Sequence, residues 1–294
     1  LATDRMKSSL VLSLLILGVA RGQPAAAQSR DGRAPAALAH YDLAGAAAWR
    51  LELPAELSEI SGIALAPNGL LLAHGDERAQ VWRFDLATRR ALSRFGLADR
   101  AGVIRGDFED IAVVGERLFL VTGTGVIYEG RVAPDGRSAR AARRTDGLGP
   151  GCEVEGMTWD AGTKSLLLLC KTTRTKRWKD QVVILAVSID SWRFERAPRI
   201  LVAERFLERV TGEKRFHGSA LTRHPRTGTL LLVAGPQRAF AEVSLRGEVL
   251  GGGRLDRRRH RQPEGIAVAR DLTLLISDEA AGRDATITAY AYRP

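Results

Sequence analysis

Cysteine is almost missing from this sequence: Cys152 and Cys170 are the only two among 294 residues. That excludes a scaffold built on disulfides, and without C-x-x-C or paired-histidine spacing it gives no support to a zinc site. Long hydrophobic runs are scarce too. Residues 10–20 form the one clear case, shorter than the roughly 20 apolar residues of a membrane-spanning helix. G-x-S-x-G, H-E-x-x-H, P-loop and G-x-G-x-x-G motifs are absent, so no complete catalytic signature is present. Apolar residues in general are plentiful. At 45% hydrophobic and 27% charged, the chain can bury a large core and is not a disordered polymer.

The apolar run follows Met6 and Lys7 and precedes Ala25, Ala26 and Ala27. A basic start, a short apolar stretch and an A-x-A site describe a secretory signal. The expected organisation is a signal over 1–27 starting at Met6, a flexible leader over 28–39, and one domain over 40–294. Cleavage would remove three basic residues and one acid, taking the net charge from +10 to +8. The expected location is the periplasm or the exterior, with no membrane span left; an uncleaved segment would anchor the protein in the inner membrane. Export also permits a disulfide between Cys152 and Cys170.

The rest of the chain repeats. Five segments align at 60–64, 108–112, 154–158, 217–221 and 263–267, and their second residues are Ser61, Glu109, Glu155, Gly218 and Glu264. The spacings are 48, 46, 63 and 46. After each segment come turn residues and then an apolar run, at 70–72, 118–120, 166–169, 230–233 and 274–276. Short apolar runs separated by turn residues are strands joined by hairpins. A third strand is expected at 80–84, 126–131, 182–189, 239–243 and 286–292. A fourth is expected at 91–95, 200–203 and 248–250, while in unit two it is only guessable.

Four strands in each repeat of about 40–50 residues is the arithmetic of a β-propeller. Unit five stops after three strands, and a spare strand at 48–53 precedes unit one. Pairing the two closes a ring and leaves no open sheet edge. The fold class is therefore all-β, a five-bladed propeller of four-stranded blades closed by an N-terminal strand, with six blades as the alternative. The long third interval holds a charged insertion at 204–214 that allows one short helix.

Innermost strands surround a propeller's axis, so Glu109, Glu155 and Glu264 are expected to converge at one end of it. Three carboxylates in a narrow channel need protonation, a basic partner or a cation. A hard divalent ion such as calcium, taking oxygen ligands, answers that need. The alternative is that these acids cap strand ends. Ser61 and His217 stand near the same level from the other two blades, with Asp107, Asp110 and Glu59 in reserve. The loops between second and third strands bring Asp76, Glu77, Lys171, Asp278 and Glu279 to the same face, where solvated turns are the plainer reading. A hairpin turn at 160–164 sets Cys170 opposite residue 154, within disulfide reach of Cys152. Basic clusters at 137–144, 174–179 and 254–261 suggest nucleic acid, but export argues against that partner and for solvated loops. The tryptophans read as packing between blades.

The repeated E-G-[IM]-[AT] openings, the leucine runs after them and the exported N-terminus resemble the SdiA-regulated (YjiK-type) family of bacterial envelope proteins. Looser forms of the pattern occur in NHL-type, phytase-like and lactonase-like propellers. The resemblance covers about residues 55–294. It implies a five-bladed propeller with a calcium site, in a family without a settled activity, and by register it places the metal at Glu109, Glu155 and Glu264. Ser61 and Gly218 depart from the acidic pattern. Three functions are weighed: a calcium-binding module for a small molecule or envelope component, a metal-dependent hydrolase with Glu155 or Glu264 as base, and a structural scaffold. A monomer is expected.

Overall fold

The computed structural model describes residues 36–133 and 137–294. The expected export signal lies outside those residues. Five antiparallel four-stranded blades follow one another, and the sheet of blade 1 is extended at its outer edge by the two-residue strands Gly102–Val103 and, in parallel, Ala139–Arg140. From the inside outwards, blade 1 runs Ile60–Leu65, Leu71–Gly75, Gln80–Asp85 and Arg90–Asp99. Blade 2 runs Phe108–Val114, Arg117–Thr122, Ile127–Arg131 and Ala142–Arg143. Blade 3 runs Cys152–Asp160, Ser165–Thr173, Gln181–Ser188 and Ile200–Ala203. Blade 4 runs Ala220–Arg223, Leu230–Ala234, Ala239–Val243 and Val249–Arg254. Blade 5 takes Pro263–Val268, Leu274–Asp278 and Thr286–Tyr290 from the end of the chain and Trp49–Glu52 from its beginning. We call the strands of each blade a to d. Each strand a contacts the next, and that of blade 5 contacts that of blade 1, so the ring closes at five.

The leucine runs follow from this stacking. Strand b is covered on both faces, so it has no polar side and its residues alternate between two neighbouring cores. In blade 3, Leu167 and Leu169 pack toward blade 4 while Leu166 and Leu168 pack toward blade 2. Blade 4 repeats the device, with Leu230 and Leu232 on one side and Leu231 and Val233 on the other. Burying each such side chain contributes about 1.5–3 kcal/mol. The five cores between successive blades therefore hold the ring together.

Two boundaries differ from the sequence reading. Strand d of blade 2 is two residues long, too short to leave a pattern. The expected leader also ends early. Ala37 is fully buried, and the carboxylate of Glu242 accepts the Ala37 and Leu38 backbone N–H groups at 2.7 and 2.8 Å. Tyr41 adds hydrogen bonds to His224 and the Leu272 carbonyl. Residues 37–43 thus strap the seam between blades 4 and 5. The insertion of unit three forms the α-helix Glu204–Thr211, ended by Gly212 in the left-handed conformation. Cys152 and Cys170 form a disulfide with a Cα separation of 5.4 Å, and Cys170 pairs with Val154 across the ladder.

Candidate functional site

The second residue of the repeated segment occupies a β-bulge. In blades 1, 2, 3 and 5 the ladder between strands a and b skips Ser61, Glu109, Glu155 and Glu264. A bulged residue is released from pairing, and the strand bends so that its side chain is re-aimed. In blade 4 the ladder starts at Ala220, after Gly218. The third residue explains why the pattern favours glycine there. A Cβ on Gly62 would lie 2.9 Å from the Asp110 backbone of blade 2, and one on Gly156 would lie 3.0 Å from the Leu221 nitrogen of blade 4. These are the points where neighbouring innermost strands meet.

Glycines also make room for the acids. A Cβ on Gly123 would lie 2.9 Å from Glu109 Oε1, and one on Gly235 would lie 2.9 Å from Glu264 Oε1. Glu109, Glu155 and Glu264, from three blades, come within electrostatic reach of one another. Burial, then Glu155 and Asp107, push the Glu109 carboxyl up to about 9. Burial, then Glu279 and Glu155, push Glu264 up to about 8. Glu279 rises to about 7 through burial and the nearby Glu59 and Asp76. Burial raises Glu155 as well, opposed by Lys171, whose Nζ lies 3.0 Å from Glu155 Oε1. Lys171 is the one basic side chain ion-paired to these glutamates among the described residues. Gln262 donates a hydrogen bond to Glu279.

The other candidates have separate surroundings. Asp110 is buried and ties two blades: Oδ1 accepts the Ile111 N–H at 2.8 Å and Oδ2 accepts the Met157 N–H of blade 3 at 2.6 Å. Burial holds its carboxyl well above the usual carboxylate range. Asp110→Ala would leave both N–H groups unpaired, at about 1–3 kcal/mol each. The expected result is a loss of about 2 kcal/mol by urea unfolding, with Asp110→Asn milder because its amide oxygen still accepts one bond. Ser61 directs its hydroxyl to the Glu59 carbonyl at 3.5 Å. His217 is held by Gln237, which accepts the His217 N–H at 3.1 Å and approaches its ring Nδ1 at 3.3 Å. Glu59 is exposed at the mouth, beside Glu279.

Adjacent acids at the end of blade 5 split by strand alternation. Glu279 joins the mouth, whereas Asp278 is buried and bonded to His260 Nδ1 at 2.7 Å, with His260 Nε2 2.6 Å from the Tyr290 hydroxyl. No feature of the sequence marked Lys171 as a partner of Glu155 rather than a solvated turn residue. Among the described residues, no three His, Cys, Asp or Glu side chains are gathered closely enough to hold a metal ion as they stand. The arrangement is a ring of acids in electrostatic deficit, with one tethered ammonium among them.

No family model matches the chain, and no curated protein sequence does. In structure it is similar to the glutaminyl cyclase of Myxococcus xanthus, with a TM-score of 0.55 and 13% identity over 84% of this chain and 96% of that one. It is also similar to a PQQ-bound aldose sugar dehydrogenase from Streptomyces coelicolor, with a TM-score of 0.54 and 12% identity over 83% of this chain and 98% of that one. At these identities the likeness establishes the propeller fold and nothing finer.

Proposed function

We propose that the chain is an exported, cation-binding β-propeller that offers the acidic end of its axis to a small molecule or envelope component, with calcium as the cation. One observation carries this reading: three blades each present a bulge glutamate within electrostatic reach of the others, and burial, then repulsion, pushes the Glu109 and Glu264 carboxyls up to about 9 and about 8. The donor set suits a hard ion, because it is made of carboxylate oxygens. Glu109, Glu155 and Glu264 would hold the ion after closing in from their present spacing. The formed disulfide supports export. No described helix is long and apolar enough to cross a membrane.

The test is thermal unfolding with EDTA and then with calcium. Binding to the folded state stabilises it by about 2.7 kcal/mol at a hundredfold excess over Kd. The midpoint is expected to rise with calcium in the wild type and to rise less in Glu109→Gln, Glu155→Gln and Glu264→Gln. Without calcium, Glu109→Gln and Glu264→Gln are expected to be more stable than the wild type, since each removes a repelled carboxyl. A wild-type midpoint indifferent to calcium rejects the cation site. A calcium response untouched by all three substitutions places the ion elsewhere and leaves these acids a scaffold role. The hydrolase reading becomes worth testing, on lactones, esters and phosphates, only after the calcium response is found at these residues.

A further inference from the structure

The end of the axis opposite the acids is hollow. Innermost strands leave the acidic end, pass the crowded level of Gly62, Asp110, Gly156 and Gly265, and run toward the other face. Beyond that level the five strands enclose a cavity of about 340 Å³, at the lower end of the roughly 300–1,000 Å³ of small-molecule sites. Every blade contributes one buried apolar residue to its lining: Ile63, Ile111, Met157, Leu221 and Ile266. Ala64, Ala112, Thr158 and Ala267, the next residues along four of the strands, are small, which leaves the space. Half-buried Leu65, Val113, Trp159, Thr222 and Val268 form the mouth. Among the described residues, one charged side chain lines the cavity: Arg223, the last residue of strand a in blade 4. Its Nε donates to the Gly228 carbonyl at 3.2 Å, which fixes the guanidinium. Its Nη1 stands 3.6 Å from Asp160 Oδ1, too far for a hydrogen bond. Asp160 is already held by the Gly162 N–H and the Thr163 hydroxyl. The Nη donors of Arg223 thus have no hydrogen-bond acceptor among the described residues.

We propose that this cavity is a binding site for a small carboxylic acid with a compact apolar body, the carboxylate on the Nη groups of Arg223 and the body against the apolar walls. The site is separate from the acidic end and does not depend on the cation reading above. Small-molecule sites combine mostly apolar walls with a few placed polar groups that fix orientation, which is the composition of this cavity. The planar guanidinium fork matches a carboxylate with two parallel N–H···O bonds. A second negative charge, as on a phosphate ester, would find no second cation on these walls and would be costly to strip of water. An ammonium would be repelled by Arg223. A neutral amide of the same shape keeps the apolar burial but loses the charge-assisted pair, which is about twice as strong as a neutral hydrogen bond.

The chain has two methionines, Met6 and Met157, so a carbon-13 label on the methionine methyls puts a single reporter in the cavity wall. Met6, where retained, is the reference. Cyclohexanecarboxylate, cyclohexanecarboxamide and cyclohexylmethylammonium are titrated into the full chain at about pH 7, where the carboxylate and the ammonium are charged, and the Met157 resonance is followed by NMR. The carboxylate is expected to shift that resonance to saturation, the amide to bind at least about tenfold more weakly, and the ammonium to leave it in place. Arg223→Gln is expected to weaken the carboxylate by about tenfold or more and to leave the amide within about twofold of the wild type. If Arg223→Gln fails to fold, the acid and amide compared on the wild type carry the test. A Met157 resonance that none of the three probes moves overturns the cavity as a binding site. Equal affinity for acid and amide, tighter binding of the ammonium, or a carboxylate affinity that Arg223→Gln leaves unchanged overturns the recognition of a carboxylate by Arg223.

Discussion

Gly62→Ala is expected to lower the thermal midpoint by roughly 6–12 °C. The added Cβ would lie 2.6 Å from Asp110 Oδ1, 2.7 Å from His74 Nε2 and 2.9 Å from the Asp110 Cα. The side chains are buried and the last atom is backbone, so neither strand can give way cheaply. Overpacking of this kind costs about 1–3 kcal/mol, and the upper end applies where backbone must move. At about 2–4 °C for each kcal/mol in a large domain, the stated range follows. Gly251→Ala is the control, since a Cβ there meets no atom within 4 Å, and its midpoint should match the wild type. Scanning calorimetry on both variants checks the pair. A Gly62→Ala protein as stable as the control would mean that blades 1 and 2 do not need this close approach.

The second large effect is on pH. Glu109, Glu264 and Glu279 have folded values of about 9, 8 and 7, above the roughly 4.3 of a glutamate in an unfolded chain. The folded state therefore binds more protons than the unfolded state between about pH 4.5 and 9, and stability falls as pH rises through that window. His74 and His224 work in the other direction. Burial pulls both down to about 4, below the usual 6.5 or so, so the stability they hold is complete above that pH and is lost as pH falls toward 4. Three acids outweigh two histidines, so the metal-free protein is expected to lose stability as pH rises from about 5, most steeply just above about 6.5, where the histidines no longer offset the acids. Under the proposed cation-binding reading, calcium is expected to flatten the alkaline limb, because it would take the place of the protons. Its apparent affinity should climb by up to about tenfold per pH unit for each proton displaced. Thermal scans from pH 4 to 9, with EDTA and with calcium, measure both. A metal-free midpoint that holds steady from pH 6 to 9 would contradict the electrostatic account of the axial acids.

Much of the ring was legible because strand b is apolar on both faces. Leu166, Leu167, Leu168 and Leu169 can only be a strand with a core on each side, and five such runs set the blade number. The pairing of strand 48–53 with unit five followed from the strand count, and the Cys152–Cys170 bridge from hairpin register together with the expected export. The bulges were not legible, since a bulge depends on which residue the partner strand skips. Glycine at 62, 156 and 265 was the one trace, and its meaning needs the neighbouring blade. Nothing in the sequence marks Glu242, which is completely buried and accepts the Ala37 and Leu38 N–H groups from far along the chain. Lys171 is hidden for a related reason: charged residues at strand ends usually point to solvent, and only the bulge at Glu155 turns the pair inward.

The clasp between Trp49–Glu52 and Thr286–Tyr290 sets a timetable. Blades 1 to 4 are built mostly from hairpins that join near neighbours in sequence, and such contacts form fast. Blade 5 cannot be completed until strands from opposite ends of the described chain meet, which is the slow kind of contact. Assembly therefore ends with one annealing step. Escape from the native state has to reverse it, opening a four-residue ladder together with the strap that Glu242 holds. Bonds that form after the folding barrier are those that slow unfolding. The short seam thus governs how long a folded molecule lasts in a harsh medium, out of proportion to its share of the stability.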